Sequence, residues 1–471
     1  MTMPTPSVCE RARQARDARF DGRFFVGVLT TGIYCRPVCP ARTPLAENVR
    51  FFPSNAAAQS AGFRPCLRCK PDLAAPPASH RGGAVGMALR HIEAGCLNDG
   101  TTAGLAARLG IGARQLNRLF QAELGTTPLA VARAVRLQTA RRLLRGTHLK
   151  ISDVAMHAGY GSLRRFNDEF RRVYGRAPGE MRGEVVGAST HAELHLPLRQ
   201  PFNASWLLDF LAARALPPIE TVVDGAYRRQ VPLLAGGVGV VQARPEADRL
   251  HVRIPVDCAE PMHVVLRRLR RIFDLEADGA AIDAHLRLDP WLAPWVEQAP
   301  GLRVPGAWGG FETAVRAILG QQVSVARART IAQRFVDDIG GGVFPSPARL
   351  ADCDIAALGA MPSARCDAVR ALSRQVAAGT LVIDECQDSA QLQAALMAIP
   401  GIGPWTAQYI AMRIGRDPDV FLPGDWVVKQ ALADAPAGPH TQPDAWQPWR
   451  AYAVMVLWQK AAAQKNGIKQ Q

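Results

Sequence analysis

One acid late in the chain stands where it could do chemistry. Asp425 follows Leu422, Pro423 and Gly424, a punctuated turn that would hold its carboxylate in place. Upstream of it runs Ile399-Pro400-Gly401-Ile402-Gly403-Pro404-Trp405. Gly401 and Gly403 permit positive φ and leave backbone N–H groups bare at the start of the following segment, which suits a phosphate. The two stretches read together as a phosphate clamp beside an acid. The plainer reading of Asp425 is a helix cap ahead of Trp426. A second cluster lies near the N-terminus. Cys35 and Cys39 are spaced C-x3-C and, 26 residues on, Cys66 and Cys69 are spaced C-x2-C. In a reducing compartment that spacing suits one tetrahedral zinc held by four thiolates, against the competing reading of four unrelated thiols. The other six of the ten cysteines stand singly and read as small buried apolar residues.

These groups need elements to position them. Ile399, Ile402, Ala407, Ile410 and Ala411 recur at helical spacing around the Pro-Gly-Ile-Gly turn, so two helices joined by a tight hairpin are expected. Residues 311–329 predict one helix followed by another, and the pattern is helical almost throughout from Pro261. Between 191 and about 270 a strand, a helix and a strand hairpin are expected, with no chemistry in them. Residues 101–120 and 151–174 each read as helix, turn, helix, turning at Gly110 and at Gly159–Gly161. Each second helix presents polar side chains beside its buried face: Arg114, Gln115, Asn117 and Arg118 in one, Arg164, Arg165, Asn167 and Asp168 in the other. Arg, Asn and Gln match base edges in the major groove. The stretch 71–83, rich in Pro, Ala and Gly, reads as a linker.

The whole chain bounds the rest. Its 471 residues exceed one core, so three or four domains are expected. No apolar run reaches about 18 residues, and the first residues lack the apolar core of a signal peptide, so no membrane partner is expected. The cytoplasm, with its cysteines reduced, is the expected compartment. The net charge of +15 is unevenly placed: residues 1–190 hold 28 Lys and Arg against 13 Asp and Glu, and residues 191–471 hold 28 of each. An excess confined to one half points to nucleic acid binding there, where a basic composition alone would not spare the other half.

Three resemblances sharpen this reading. T-T-G-I-Y-C-R-P-V-C-P-A-R (residues 30–42) and G-F-R-P-C-L-R-C (62–69) resemble the N-terminal domain of the Ada family. The resemblance implies that Cys35 accepts a methyl group irreversibly from a DNA phosphotriester. It also implies that Cys39, Cys66 and Cys69 complete the zinc shell and that Thr31, Arg42 and Arg64 lie near the phosphate. Zinc keeps a thiol deprotonated and nucleophilic at neutral pH, and methylation removes a negative charge, so DNA binding would then tighten. The second helix-turn-helix, closing in Y-G-R-A-P-G-E-M-R (174–182), resembles the signature of AraC-type regulators. Ada-family proteins carry sensor and reader in this order. Their methylguanine methyltransferase motif P-C-H-R is absent, so repair of methylguanine is not expected.

The C-terminal half resembles the helix-hairpin-helix DNA glycosylases, in the bacterial 3-methyladenine DNA glycosylase II branch. This implies Asp425 as the catalytic acid, here beside Gly424 instead of the frequent second acid. It implies hairpin contacts to DNA at Gly401 and Gly403, and Gln322 as the wedge filling the gap of a flipped base. Strand-cutting relatives hold a Lys where this chain has Trp405, so base removal without strand cleavage is expected. Trp405, Tyr409 and Trp458 would offer π faces to a cationic base, with core packing as the alternative role for each. The four C-terminal cysteines that hold an iron–sulfur cluster in some relatives have no counterpart beyond Cys386, so no cluster is expected.

The expected architecture is multidomain and mainly α. A zinc-bound α/β domain spans 1–78, an AraC-type double helix-turn-helix 82–185, a mixed α/β domain 191–270 and an all-α helix-hairpin-helix domain 271–471. The expected function couples excision of alkylated purines to methylphosphotriester sensing and gene activation. Double-stranded DNA and RNA polymerase are the expected partners. The rival is a transcription regulator whose glycosylase half only binds DNA.

Overall fold

The computed structural model describes residues 3–73, 83–182, 190–359, 361–415, 417–435 and 442–468. Most of the linker expected at 71–83 lies outside these residues. The chain is mainly helical and divides into two compact units. One takes in residues 1–197, 231–239 and 249–267, and the other 198–230, 240–248 and 268–471.

The first unit opens with α1 (Pro6–Gln14), β1 (Phe25–Val28), β2 (Ile33–Cys35), β3 (Val49–Phe52), α2 (Asn55–Ser60) and β4 (Arg64–Pro65). The sheet order is β3-β1-β2-β4. β1 runs antiparallel to β2 and β3, and β2 pairs parallel with β4, setting Tyr34 beside Pro65. That register brings the segment after Cys35 alongside the one holding Cys66. Behind the sheet, Phe52 and Phe63 meet edge to face at 5.2 Å. A Cβ on Gly27 would lie 2.7 Å from the Phe52 ring and 2.9 Å from that of Phe63, so β1 tolerates only hydrogen there.

Six helices follow: α3 (Gly83–Glu93), α4 (Thr102–Arg108), α5 (Ala113–Leu124), α6 (Pro128–Gly146), α7 (Ile151–His157) and α8 (Leu163–Tyr174). The pairs α4–α5 and α7–α8 are the two expected helix-turn-helix units. Thr101 and Ser162 cap α4 and α8 by accepting from Gly104 N–H (3.1 Å) and Arg165 N–H (3.4 Å). α6 is the 19-residue strut between the units, begun by a Thr127 cap and Pro128 at its first position.

Segments flanking the N-terminal sheet grip both second helices at their C-terminal ends. Ser54 Oγ–H donates to the Leu124 carbonyl at 2.7 Å, and Pro53 abuts Gly125. Arg141 on α6 donates to both oxygens of Asp72, and Tyr174 O–H donates to Asp72 Oδ2 at 3.1 Å. Asp72 is fully buried and Arg141 is 1% exposed. Breaking such a pair strands a charge without water. Arg141→Met is therefore expected to cost about 3–5 kcal/mol in urea unfolding of this unit. Adding Asp72→Asn should recover much of that loss, and a single substitution without effect would show the pair to be solvated.

Onward lie β5 (His191–Pro197), α9 (Ala204–Ala212), β6 (Glu220–Val223), β7 (Ala226–Pro232), β8 (Val238–Pro245) and β9 (Arg249–Pro255). In the first unit β5 pairs antiparallel with β9 from His191↔Pro255 to Pro197↔Arg249. A Cβ on Gly146 would fall 2.1 Å from the Glu193 carbonyl, so α6 packs on β5 through a bare backbone.

In the second unit β6 and β7 form an antiparallel hairpin. α10 (Met262–Ile272) runs from the first unit into the second, whose further helices are α11 (Gly279–Leu286), α12 (Ala293–Gln298), α13 (Gly310–Leu319), α14 (Val325–Arg334), α15 (Pro347–Asp352), α16 (Ser363–Ala377), α17 (Ser389–Met397), α18 (Pro404–Ile414), α19 (Trp426–Ala433) and α20 (Arg450–Ile468). α17 and α18 are the expected hairpin. Ile399, Ile402, Ala407, Ile410 and Ala411 all point into one core with Val315, Ile318 and Leu319 of α13. Gly401 holds φ +87, whereas Gly403 sits at φ −90 and ψ 176. The expected positive φ thus holds for the first glycine only. Gly403 instead serves as the extended residue before Pro404, which opens α18.

Candidate functional site

Asp425 caps α19. Its Oδ1 accepts from the backbone N–H groups of Val427 (3.1 Å) and Val428 (3.2 Å). The cap reading and the chemical reading therefore describe the same side chain. Two indoles complete the grip: Trp458 Nε1–H donates to Oδ1 and Trp405 Nε1–H donates to Oδ2, each at 3.1 Å. Four N–H donors surround a half-buried carboxylate on the wall of a cleft of about 1780 Å³. Such donors fix its direction. Trp405 and Trp458 thus hold the acid with their edges, a role the sequence reading did not foresee, while their rings line the cleft.

The rings stack in two sets. Trp405 lies on Tyr409 at 5.4 Å with 18° between planes, and Trp458 lies on Phe210 at 6.0 Å with 12°. Phe210 and Trp206 come from α9, in the stretch expected to hold no chemistry. Arg214, just beyond α9, sits 3.6 Å above the Phe210 ring. A signal was available: Trp206, Phe210 and Arg214 share the i, i+4, i+8 spacing of Trp405, Tyr409 and Arg413. α18 puts two aromatics and a cation on one face, and α9 puts two aromatics there with Arg214 following just past its end.

Arg413 donates through Nη1 to the Tyr409 oxygen at 2.6 Å and through Nη2 to the Gly306 carbonyl at 2.8 Å. Burial alone would raise the Tyr409 phenol, but Arg413, Arg214 and Arg316 outweigh it and hold the group below its ordinary value. Beneath them lies a buried ion network. Arg229 donates to Glu312 at 2.6 Å and Arg316 to Glu220 at 2.6 Å and Glu312 at 3.0 Å. Burial pushes Glu312 up, yet the two guanidiniums prevail and bring it to about 2. Arg316 also donates to the Arg214 carbonyl, so the network supports the aromatic wall.

Gln322 is exposed on the loop between α13 and α14 and holds φ +54. Gly401 and Gly403 are both exposed at the hairpin turn. Trp426, next to the acid, is 66% exposed at the cleft.

In the first unit, the sulfurs of Cys35, Cys39, Cys66 and Cys69 all lie within 4.8 Å of one another. Four thiolates about 2.3 Å from one zinc ion need such a cluster. The Arg36 backbone N–H donates to Cys69 Sγ at 3.4 Å, and Arg36 Nε donates to Asp21 at 2.7 Å. The Cys35 thiol, donating to Cys69 and buried beside it, is pushed well up, while Cys69 accepts that bond and falls to about 6. Thiols that already share protons this way lose them together to a cation. The residues present fit one zinc ion with four cysteine ligands. Cys35 and Cys39 are half-buried, Cys66 and Cys69 buried.

Thr31, Arg42 and Arg64 are exposed. Arg64 also leans on the α8 terminus, where a Cβ on Gly175 would lie 2.9 Å from its Nη1. On the second helices Arg114, Gln115, Arg118, Arg164, Arg165 and Asp168 are exposed and Asn117 and Asn167 half-buried. Asn117 donates to the Ala113 carbonyl at 3.1 Å, and Arg165 donates to Glu169 at 3.3 Å.

Three family models match the chain: the metal binding domain of Ada over residues 8–72, a helix-turn-helix domain over 105–184 and the AlkA N-terminal domain over 193–309. A probable bifunctional transcriptional activator/DNA repair enzyme AlkA of Mycobacterium tuberculosis is 43% identical, across 96% of this chain and 95% of its own. The chain belongs to this family of fused activators and repair enzymes. DNA-3-methyladenine glycosylase 2 of Escherichia coli is 39% identical over 55% of this chain and 94% of its own. The bifunctional activator Ada of the same species is 42% identical over 28% of this chain and 36% of its own. The helix-turn-helix match places the chain among DNA-binding proteins. Among the described residues no helix is long and apolar enough to cross a membrane.

Proposed function

We propose that the chain excises alkylated purines, 3-methyladenine among them, from duplex DNA by hydrolysing the N-glycosidic bond. Its front half takes methyl groups from DNA phosphotriesters onto Cys35 and reads promoter DNA. The observation that carries the repair half is the Asp425 carboxylate, held by two indole N–H groups and a helix N-terminus at an aromatic cleft. An alkyl group on purine N3 or N7 makes the base a cation. The C1′–N bond then breaks with its electron pair going to the base, which leaves neutral. Asp425 faces the positive charge that grows on the sugar, or orients the water whose oxygen bonds to C1′ and whose proton is released. The faces of Trp405, Tyr409 and Trp458 suit a flat cation. No lysine stands at 405 to form a Schiff base, so the strand stays whole.

At the other site, bound zinc supplies a thiolate at neutral pH. The Cys35 sulfur attacks the methyl carbon of a phosphotriester, the S–C bond forms, the C–O bond breaks, and the phosphodiester leaves as an anion. Thr31, Arg42 and Arg64 are the groups available to that phosphate. Arg114, Gln115, Arg164 and Arg165 are the base readers, and Gly401, Gly403 and Gln322 the repair half's contacts to DNA. The division is 1–78 sensor, 82–185 reader, 191–270 α/β domain and 271–471 glycosylase. RNA polymerase is the partner at a promoter and the cytoplasm the compartment.

The test is incubation of methylated duplex DNA with the purified chain. Free 3-methyladenine with intact strands until alkali treatment is the expected result. Binding without base release would leave the regulator reading alone.

A further inference from the structure

The loop between α13 and α14 has five residues, Gly320 to Ser324, with two glutamines directly after its glycine. Gln322 holds φ +54, a region that a residue with a side chain rarely occupies unless its surroundings impose it. One residue back, the chain is tied down. Gln321 Nε2 donates to the Gly401 carbonyl at 2.9 Å and to Thr406 Oγ1 at 3.0 Å. A carbonyl only accepts, so the amide nitrogen must face the hairpin, and both of its hydrogens are used.

Both acceptors are rigid. Thr406 is 2% exposed on α18. Gly401 holds φ +87, and a Cβ there would lie 2.9 Å from Ala368 Cβ on α16, so the turn is pressed against a neighbouring helix. The Gly401 carbonyl accepts from Gln321 in the same turn whose exposed glycines are the candidate backbone contacts.

We propose that Gln321 is a positioning residue that couples the hairpin to the loop, so that seating the hairpin on a DNA backbone aims Gln322 at the duplex. The inference rests on the glycosylase reading above. Gln321 touches neither base nor sugar; it acts through Gln322. Without its amide, the loop loses the two bonds that tie it to α17–α18. Gln322 then relaxes out of the left-handed region, and a flipped base is no longer kept out of the stack.

The test uses the full chain and a duplex with 2-aminopurine beside one methylated purine, read by stopped-flow fluorescence. Gln321→Met keeps the length of the side chain and removes the donors. It should lower the flipping equilibrium about tenfold, the worth of two hydrogen bonds, with affinity for undamaged duplex within about twofold. Thr406→Val should lower flipping about threefold alone and add nothing to Gln321→Met, because both remove one shared interaction. Unchanged flipping in Gln321→Met, an equal loss of undamaged-duplex binding, or additive effects would each overturn the positioning role. A wild-type chain that binds yet neither flips nor releases a base would overturn the glycosylase reading, and this role with it.

Discussion

Asp425→Asn should lower the release of 3-methyladenine from methylated duplex DNA by about a thousandfold, with little loss of stability. Asn is as good a helix cap as Asp, so its oxygen can still accept from Val427 and Val428. What it lacks is the charge that opposes a growing sugar cation. Its amide nitrogen also meets an indole N–H, because Trp405 and Trp458 each donate to a separate carboxylate oxygen. One indole then faces a donor. Thermal unfolding and DNA binding should stay near wild type while base release collapses. Trp405→Phe is the companion arm: it keeps a ring over Tyr409 and deletes one donor, and a loss of about tenfold is expected. Wild-type release by Asp425→Asn would reduce the residue to its capping role.

The second large effect belongs to the four thiols. Cys35→Ala should abolish methyl uptake from DNA phosphotriesters and leave base release within about twofold, since the acceptor atom is gone and the cleft is untouched. Labelled methyl transfer and base release measured on the same preparation check this. Cys66→Ala should do more. Cys66 is buried directly after β4, its N–H donating to the Tyr34 carbonyl of β2 at 3.0 Å, and a structural zinc site of this kind contributes on the order of 10–16 kcal/mol of apparent binding energy to its fold. Zinc content and sensitivity of the first unit to chelator separate the two variants: Cys35→Ala is expected to retain much of the ordered sheet, Cys66→Ala little. Methyl uptake by Cys35→Ala would assign the acceptor to another sulfur.

Much of this protein is legible along the chain because its signals are local. The thiols pair within five residues and within four, as a turn requires. The helix-turn-helix units carry their own caps and turns, at Thr101 and Gly110 and at Ser162 and Gly159. The hairpin advertises itself through Pro-Gly-Ile-Gly and five apolar residues that all reach one core. Each signal lies inside a few helical turns, where spacing fixes which side chains share a face.

The remainder comes from contacts that no window on the chain contains. Arg229 meets Glu312 across 83 positions and Arg316 meets Glu220 across 96, so their burial as a network follows only from the packing of α13 on β6 and β7. Gln321 reaches Gly401 across 80. Trp458 donates to Asp425 across 33, turning an aromatic that reads as base platform or core into a carboxylate ligand. α9 carried its aromatic spacing in plain view, yet only the folded unit sets Phe210 on Trp458. The sequence by itself determined which chemical groups exist and which helices, turns and thiol pairs carry them, because those follow from short-range geometry. The tertiary structure alone decided which donors reach which acceptor, because a hydrogen bond needs its partners within about 3 Å and distant segments attain that only through the burial that packs them.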